Sequence, residues 1–239
     1  TTNLITLQVS DGGTPPLTAT QTFRVTVPDC VEARLGSTVI RAGDTVSVPL
    51  ELLSTVALSN VLMQASYPAE RFTNATLLVN AQQITNAPVF NAPSPGWLNV
   101  GLDLQTHHTL RLATNIATLD LSSFPNQSSA FVWLTWPTVE ARRLDGTPVT
   151  NAYGVPGRVA VVGEEPLVEA LPAPGNQVLL RQYGIPGSLI GLDWTTNVAD
   201  PRWQSLPPVP QTNLVQETGR LAPALPAQFF RARRTTNGP

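Results

Sequence analysis

Val46, Val48, Leu50 and Leu52 fall on alternate positions, with Thr45, Ser47, Pro49 and Glu51 between them. An apolar period of two belongs to a strand with one buried and one wet face. The turn Arg41-Ala42-Gly43-Asp44 leads into it from an apolar stretch over residues 31–40, so the two are expected to pair antiparallel. The period recurs. Over residues 60–67 it places Val61, Met63, Ala65 and Tyr67 on one side. Over 97–104 it sends Leu98, Val100, Leu102 and Leu104 inward and Asn99, Gly101 and Asp103 outward. Residues 157–162 read as a further strand and 76–79 as a short one, while 80–96, rich in Asn, Pro and Ala, read as a loop. Residues 131–136 are apolar on both faces, as a central strand would be. Asp145-Gly146 closes a hairpin between 139–144 and 148–149. The expected class is all-β: an antiparallel β-sandwich over residues 31–162. Pro49 has no N–H to give to a ladder, which predicts a sheet edge or a bulge there, where a partner strand could dock.

Smaller β units are expected on either side. Residues 1–30 read as a hairpin, with strands over 4–9 and 21–27 around Asp11-Gly12-Gly13-Thr14-Pro15-Pro16. A lone hairpin is marginal in water, so this one needs another surface, on its own chain or on a neighbour. Residues 163–175 read as a proline-stiffened linker. Residues 176–239 read as a small C-terminal β unit, with strands over 178–183, 189–195 and 228–232.

Composition narrows the function. The net charge is −2, only 13% of residues are charged and no acidic or basic block occurs, which argues against a nucleic-acid partner. Lysine is absent, so a Lys–Asn cross-link cannot form. Cys30 is the only cysteine and leaves no disulfide within the chain. No apolar run reaches the length of a membrane span. Thr1 is not preceded by a Met or a signal sequence, as in a mature product or a piece of a longer protein.

Three stretches resemble known families. The opening strand, then AGDTVSVPLEL, a strand ending in YPAERF and a closing GRVAVV resemble in their order the cohesins, the β-sandwich domains that hold dockerins. That family usually has tyrosine–Asp–Pro where this chain has Tyr67-Pro68. The resemblance implies a jelly-roll sandwich that holds a protein partner. VSDGGTPPLTATQTFRVTVPD resembles the last hairpin of the cadherin-like and immunoglobulin-like repeats of bacterial surface proteins. YGIPGSLIGLDWTTN, DPRWQSL and PAQFFRARR resemble a short C-terminal module of secreted proteins from Verrucomicrobia and related bacteria. These resemblances imply an extracellular or cell-surface setting. They also put Asp11 where the cadherin-like turn often carries a calcium ligand, the one cofactor left open.

Candidate chemistry is sparse. His107 and His108 are adjacent, and neighbours on a strand point to opposite faces, so they read as loop residues rather than joint ligands. Asp103 and Glu140 read as outward charges rather than a glycosidase pair. Trp133 and Trp136 are expected in the sandwich core, and Trp194 and Trp203 in that of the C-terminal unit. Trp97 is expected at the surface, open to a partner or a sugar ring. No catalytic motif is present. Two functions remain. One is a non-catalytic structural or adhesive segment of a bacterial extracellular protein, acting through protein–protein contacts, including copies of itself joined by strand addition into a fibre or lattice. The other is a carbohydrate-binding accessory module of a secreted polysaccharide-degrading enzyme.

Overall fold

The structure is a computed structural model and describes residues 2–26, 28–104, 113–175, 177–199, 202–221 and 228–235. The described residues contain strands and turns and no helix.

Strands β1 (Thr2–Ser10) and β2 (Thr18–Thr26) form a two-stranded antiparallel sheet of their own. Its register puts Ile5 opposite Phe23, Leu7 opposite Gln21 and Val9 opposite Ala19. Because the side chains alternate, Ile5, Leu7, Val9, Ala19, Phe23 and Val25 share one face. Thr2, Thr6, Gln8, Thr20, Thr22 and Thr26 share the other, where Thr6 and Thr22 hydrogen-bond at 3.2 Å. Both faces stand in solvent. Every residue of the two strands is exposed except half-buried Val25.

The sandwich follows. Its strands are β3 (Val31–Leu35), β4 (Ser37–Arg41), β5 (Thr45–Ser54), β6 (Leu58–Ser66), β7 (Phe72–Val79), β8 (Val89–Ser94), β9 (Trp97–Asp103), β10 (Thr114–Ser123), β11 (Ala130–Arg143), β12 (Ala152–Val155) and β13 (Gly157–Val162). One sheet has the order β12-β3-β5-β10-β7, the other β4-β13-β11-β6-β9-β8. Most pairs are antiparallel; β12–β3 and β13–β4 are parallel. Between the sheets lies one core, in which Val48, Leu50, Leu52, Val61, Leu98, Leu121, Val159 and Val161 are wholly buried. Each such side chain contributes roughly 1.5–3 kcal/mol by leaving water.

The all-β expectation holds, and the strands differ from it in several places: β10, in the interior of the five-stranded sheet, and β12 at its edge were not expected at all. The apolar stretch over 31–40 is two strands, since Gly36 carries the chain from one sheet to the other. The expected loop at 80–96 contains β8, the edge of the six-stranded sheet. The two stretches around Pro137 are one long strand: Thr135 faces Ser66 and Thr138 faces Gln64, so the proline sits in a bulge where no ladder bond is needed. Pro49 is neither at an edge nor in a bulge, because β5 lies between β3 and β10. The ladder tolerates it there because Gly36 faces it where β3 leaves the sheet. Gly36 N–H donates to the Pro49 carbonyl at 2.9 Å, and no N–H is available to return the bond.

The C-terminal unit begins earlier than expected. The stretch read as a linker contains β14 (Leu167–Ala173), which pairs along its length with β15 (Gln177–Tyr183). The unit continues with β16 (Leu189–Thr195), β17 (Gln204–Ser205), β18 (Val209–Pro210), β19 (Val215–Leu221) and β20 (Phe229–Thr235). These form a β14-β15-β19 sheet and a second sheet around β16. In the second, the Asp193 carboxylate is buried and accepts hydrogen bonds from Ser205 Oγ at 2.8 Å, Arg231 Nε at 3.1 Å and Arg233 Nε at 3.2 Å. Burial pushes the Asp193 carboxyl up, and these three partners outweigh it, holding the group below its ordinary range. Arg231 also lies over Trp203, 4.3 Å from the ring centre.

Candidate functional site

The outer face of the six-stranded sheet is divided in two. The half formed by β4, β13 and the start of β11 is covered by the C-terminal unit. Ala160 and Val162 point outward from β13 and are buried with Tyr183 in a second apolar cluster, which Val39, Phe131, Leu167, Ile185, Leu214 and Val215 complete. This explains why residues 131–136 are apolar on both faces: the inner side chains meet the sandwich core, and Phe131 meets the neighbouring unit. Phe131 and Tyr183 pack edge to face with ring centres 5.1 Å apart. Arg158 lies over Phe131 at 4.5 Å and donates to both carboxylate oxygens of Glu169 on β14, Nη2 to Oε2 at 3.0 Å. The Tyr183 hydroxyl donates to Glu169 at 2.7 Å. Arg158, helped by Tyr183, holds the Glu169 carboxyl below its ordinary range despite burial. Burial, with Glu169 adding to it, pushes Tyr183 up.

The other half, formed by the end of β11 with β6, β9 and β8, is open. Register places its outward side chains in rows across the sheet. One row is Asn91, Asn99, Gln64 and Thr138; the next is Ser94, Trp97, Ser66 and Thr135. The amides form a ladder: Gln64 Nε2 donates to Asn99 Oδ1 at 3.2 Å, and Asn99 Nδ2 to Asn91 Oδ1 at 3.1 Å. On the far side of the amides, Leu62 and Val89 close over Gly101, where a Cβ would stand 3.1 Å and 3.2 Å from their atoms. They line a shallow groove of about 370 Å³ that reaches Glu140.

The residues singled out from sequence are scattered. Trp97 is on the open half and 36% exposed. Trp133 was expected in the core and is 54% exposed, because it points outward from β11. Trp136 is buried as expected, and Trp194 and Trp203 are half-buried. Pro49 is half-buried in the interior of the opposite sheet, away from both halves of this face. Asp11 caps its own turn, with Oδ1 accepting the N–H groups of Gly13 at 3.1 Å and Leu17 at 2.8 Å. No group of three or more metal-ligating side chains occurs among the described residues. Asp103 and Glu140 lie on the open half with β6 between them, and Asp103 is bonded to Asn86 at 2.9 Å. His107 and His108 lie outside the described residues.

No protein-family model matches the chain, and no curated protein matches it. Among solved structures it is similar to cohesin modules. One is the cohesin CaCohA2 from Clostridium acetobutylicum, 22% identical over 55% of this chain and 90% of that one, with a TM-score of 0.48. A type I cohesin–dockerin complex from Clostridium thermocellum is 15% identical over 55% of this chain and 99% of the other, with a TM-score of 0.48. A non-cellulosomal cohesin from the archaeon Archaeoglobus fulgidus is 14% identical over 56% and 92%, with a TM-score of 0.47.

Proposed function

We propose that the chain is a non-catalytic assembly segment of a bacterial extracellular or cell-surface protein, joined to its neighbours by protein–protein contacts. The observation that carries this reading is the bare apolar face of the β1–β2 hairpin. Leu7 is 56% exposed, Val9 70% and Phe23 41%, on a two-stranded sheet with no core of its own. A two-stranded sheet alone is marginally stable at best in water and gains from a surface to pack on. A contiguous apolar face of this kind marks an interaction site. The order of cohesin-like stretches in the sequence supports a protein partner for the sandwich as well.

The occupant we assign to the hairpin is a second copy of the chain. The apolar face carries no charge, since Arg24 points to the threonine face, so two such faces meet without burying a like pair. The free edges of β1 and β2 also offer unpaired backbone groups for strand addition. Light scattering of the full chain across a concentration series tests this. Self-association that rises with concentration and disappears in an Ile5→Lys/Phe23→Lys chain of unchanged melting temperature is expected. A chain that stays monomeric at every concentration overturns the assignment.

A further inference from the structure

The geometry points to a binding site for a neutral, extended glycan chain on the outer face of the six-stranded sheet, with Trp97 on its open half and Trp133 at the border of the covered half as its two stacking platforms. Both indoles project from the same outer face of the sheet. Trp97 on β9 is in register with Ser66 on β6 and Thr135 on β11, and Trp133 precedes Thr135 by two residues on the same side of β11. Two strand spacings across and two residues along set the backbone positions of the two tryptophans about 12 Å apart. Sugar rings present apolar faces that lie on such platforms, and separate rings of one chain can cover both.

The ground around the platforms favours a sugar over a protein. A protein interface concentrates large apolar side chains at its centre and polar groups at its rim. Here the order is reversed, with indoles at the ends and Ser66 and Thr135 between them. The adjoining row is the ladder of Gln64, Asn99 and Asn91. Each of its inter-amide bonds uses one N–H, so donors remain on every amide for sugar hydroxyls. Arg158, whose guanidinium lies over the Trp133 ring 5.8 Å from its centre, is already paired with Glu169. Among the described residues, those between the indoles are Ser66 and Thr135, which offer an acidic polymer, nucleic acid included, no positive charge. Trp133 is also 54% exposed although the C-terminal unit covers Phe131 two residues earlier, so that unit ends where the platform begins.

The test is affinity electrophoresis of the full chain in native gels cast with soluble β-glucan, xylan, mannan or, as an acidic comparison, polygalacturonate. At least one neutral polysaccharide is expected to retard the chain, and the acidic one is not. Trp97→Ala and Trp133→Ala each weaken binding about tenfold, and the double variant abolishes it. Asn99→Ala breaks the ladder, keeps both indoles and weakens binding severalfold, so the site stays testable should an indole variant fold poorly. Leu144→Ala, an exposed change elsewhere, leaves binding intact. The proposal is overturned if no neutral polysaccharide retards the chain. It is equally overturned if the folded double variant binds as before, or if that variant loses self-association while its polysaccharide binding is unchanged.

Discussion

The ion pair between Arg158 and Glu169 joins the sandwich to the C-terminal unit, and its removal has a calculable effect. Glu169→Gln keeps the shape and leaves an acceptor for Tyr183, but removes the charge facing the guanidinium. The side chains are only 20% and 15% exposed, so water screens them less than a surface pair worth at most about 1 kcal/mol. They are wetter than a fully buried pair, whose breakage costs roughly 3–5 kcal/mol. The structure therefore places the loss at about 2 kcal/mol near neutral pH. Urea unfolding followed by tryptophan fluorescence measures it, through Trp194 and Trp203 on one side of the contact and Trp136 on the other. The expected result is a lower midpoint for the C-terminal unit with the sandwich transition in place. The pH dependence supplies the sign. The Glu169 carboxyl is held below its ordinary value of 4.5 in the folded chain, chiefly by Arg158. Its contribution is whole above that value and fades as pH falls through the lowered one. The E169Q chain has no such group to protonate, so the two chains converge in acid. A gap that is absent near pH 7, or that stays constant down to about pH 3, refutes the reasoning.

Two further outcomes follow from the core. A Cβ at Gly36 would stand 2.5 Å and 2.7 Å from the Pro49 ring carbons. Gly36→Ala should therefore destabilise the sandwich by about 2 kcal/mol, Pro49→Ala should recover about half of that in the double variant, and thermal melts of the four chains give the coupling. Leu50 is wholly buried and Leu78 is 60% exposed, so Leu50→Ala should cost about 3 kcal/mol in urea unfolding and Leu78→Ala less than about 0.5.

The alternation of Val46 to Leu52, of residues 60–67 and of residues 97–104 was enough to read the sandwich, because each of these strands has one wet face. What period two could not reveal were places where tertiary packing supplies the second face. Residues 131–136 look like a strand buried on both sides, and sequence cannot say that Phe131 is covered by another unit while Trp133 is left bare. The strand at 167–173 was hidden by its prolines, yet Pro172 pairs opposite Val178 at the end of its sheet. Pro49 misled for a related reason. A proline needs one unanswered ladder position, and a partner strand that turns away supplies it as well as an edge does. In the C-terminal unit no local pattern shows that Asp193 is buried and held by Arg231 and Arg233 from a strand almost forty residues on. The pairing of Trp97 with Trp133 on one face required the register of β9, β6 and β11, which no local pattern contains.

Gly36 makes the first apolar stretch of the sandwich belong to both sheets, and its second half, β4, runs parallel to the closing strand β13. The second strand of this module and its last are therefore neighbours pointing the same way. Once tension at the two ends of the module has drawn β3 away, it pulls β4 and β13 in opposite directions along their shared axis. The five registered pairs from Ser37–Arg158 to Arg41–Val162 then bear the load together instead of opening one after another. A segment built to join copies into a chain would pass force through that seam, and resistance to pulling would depend on the length of the β4–β13 ladder more than on the depth of the core.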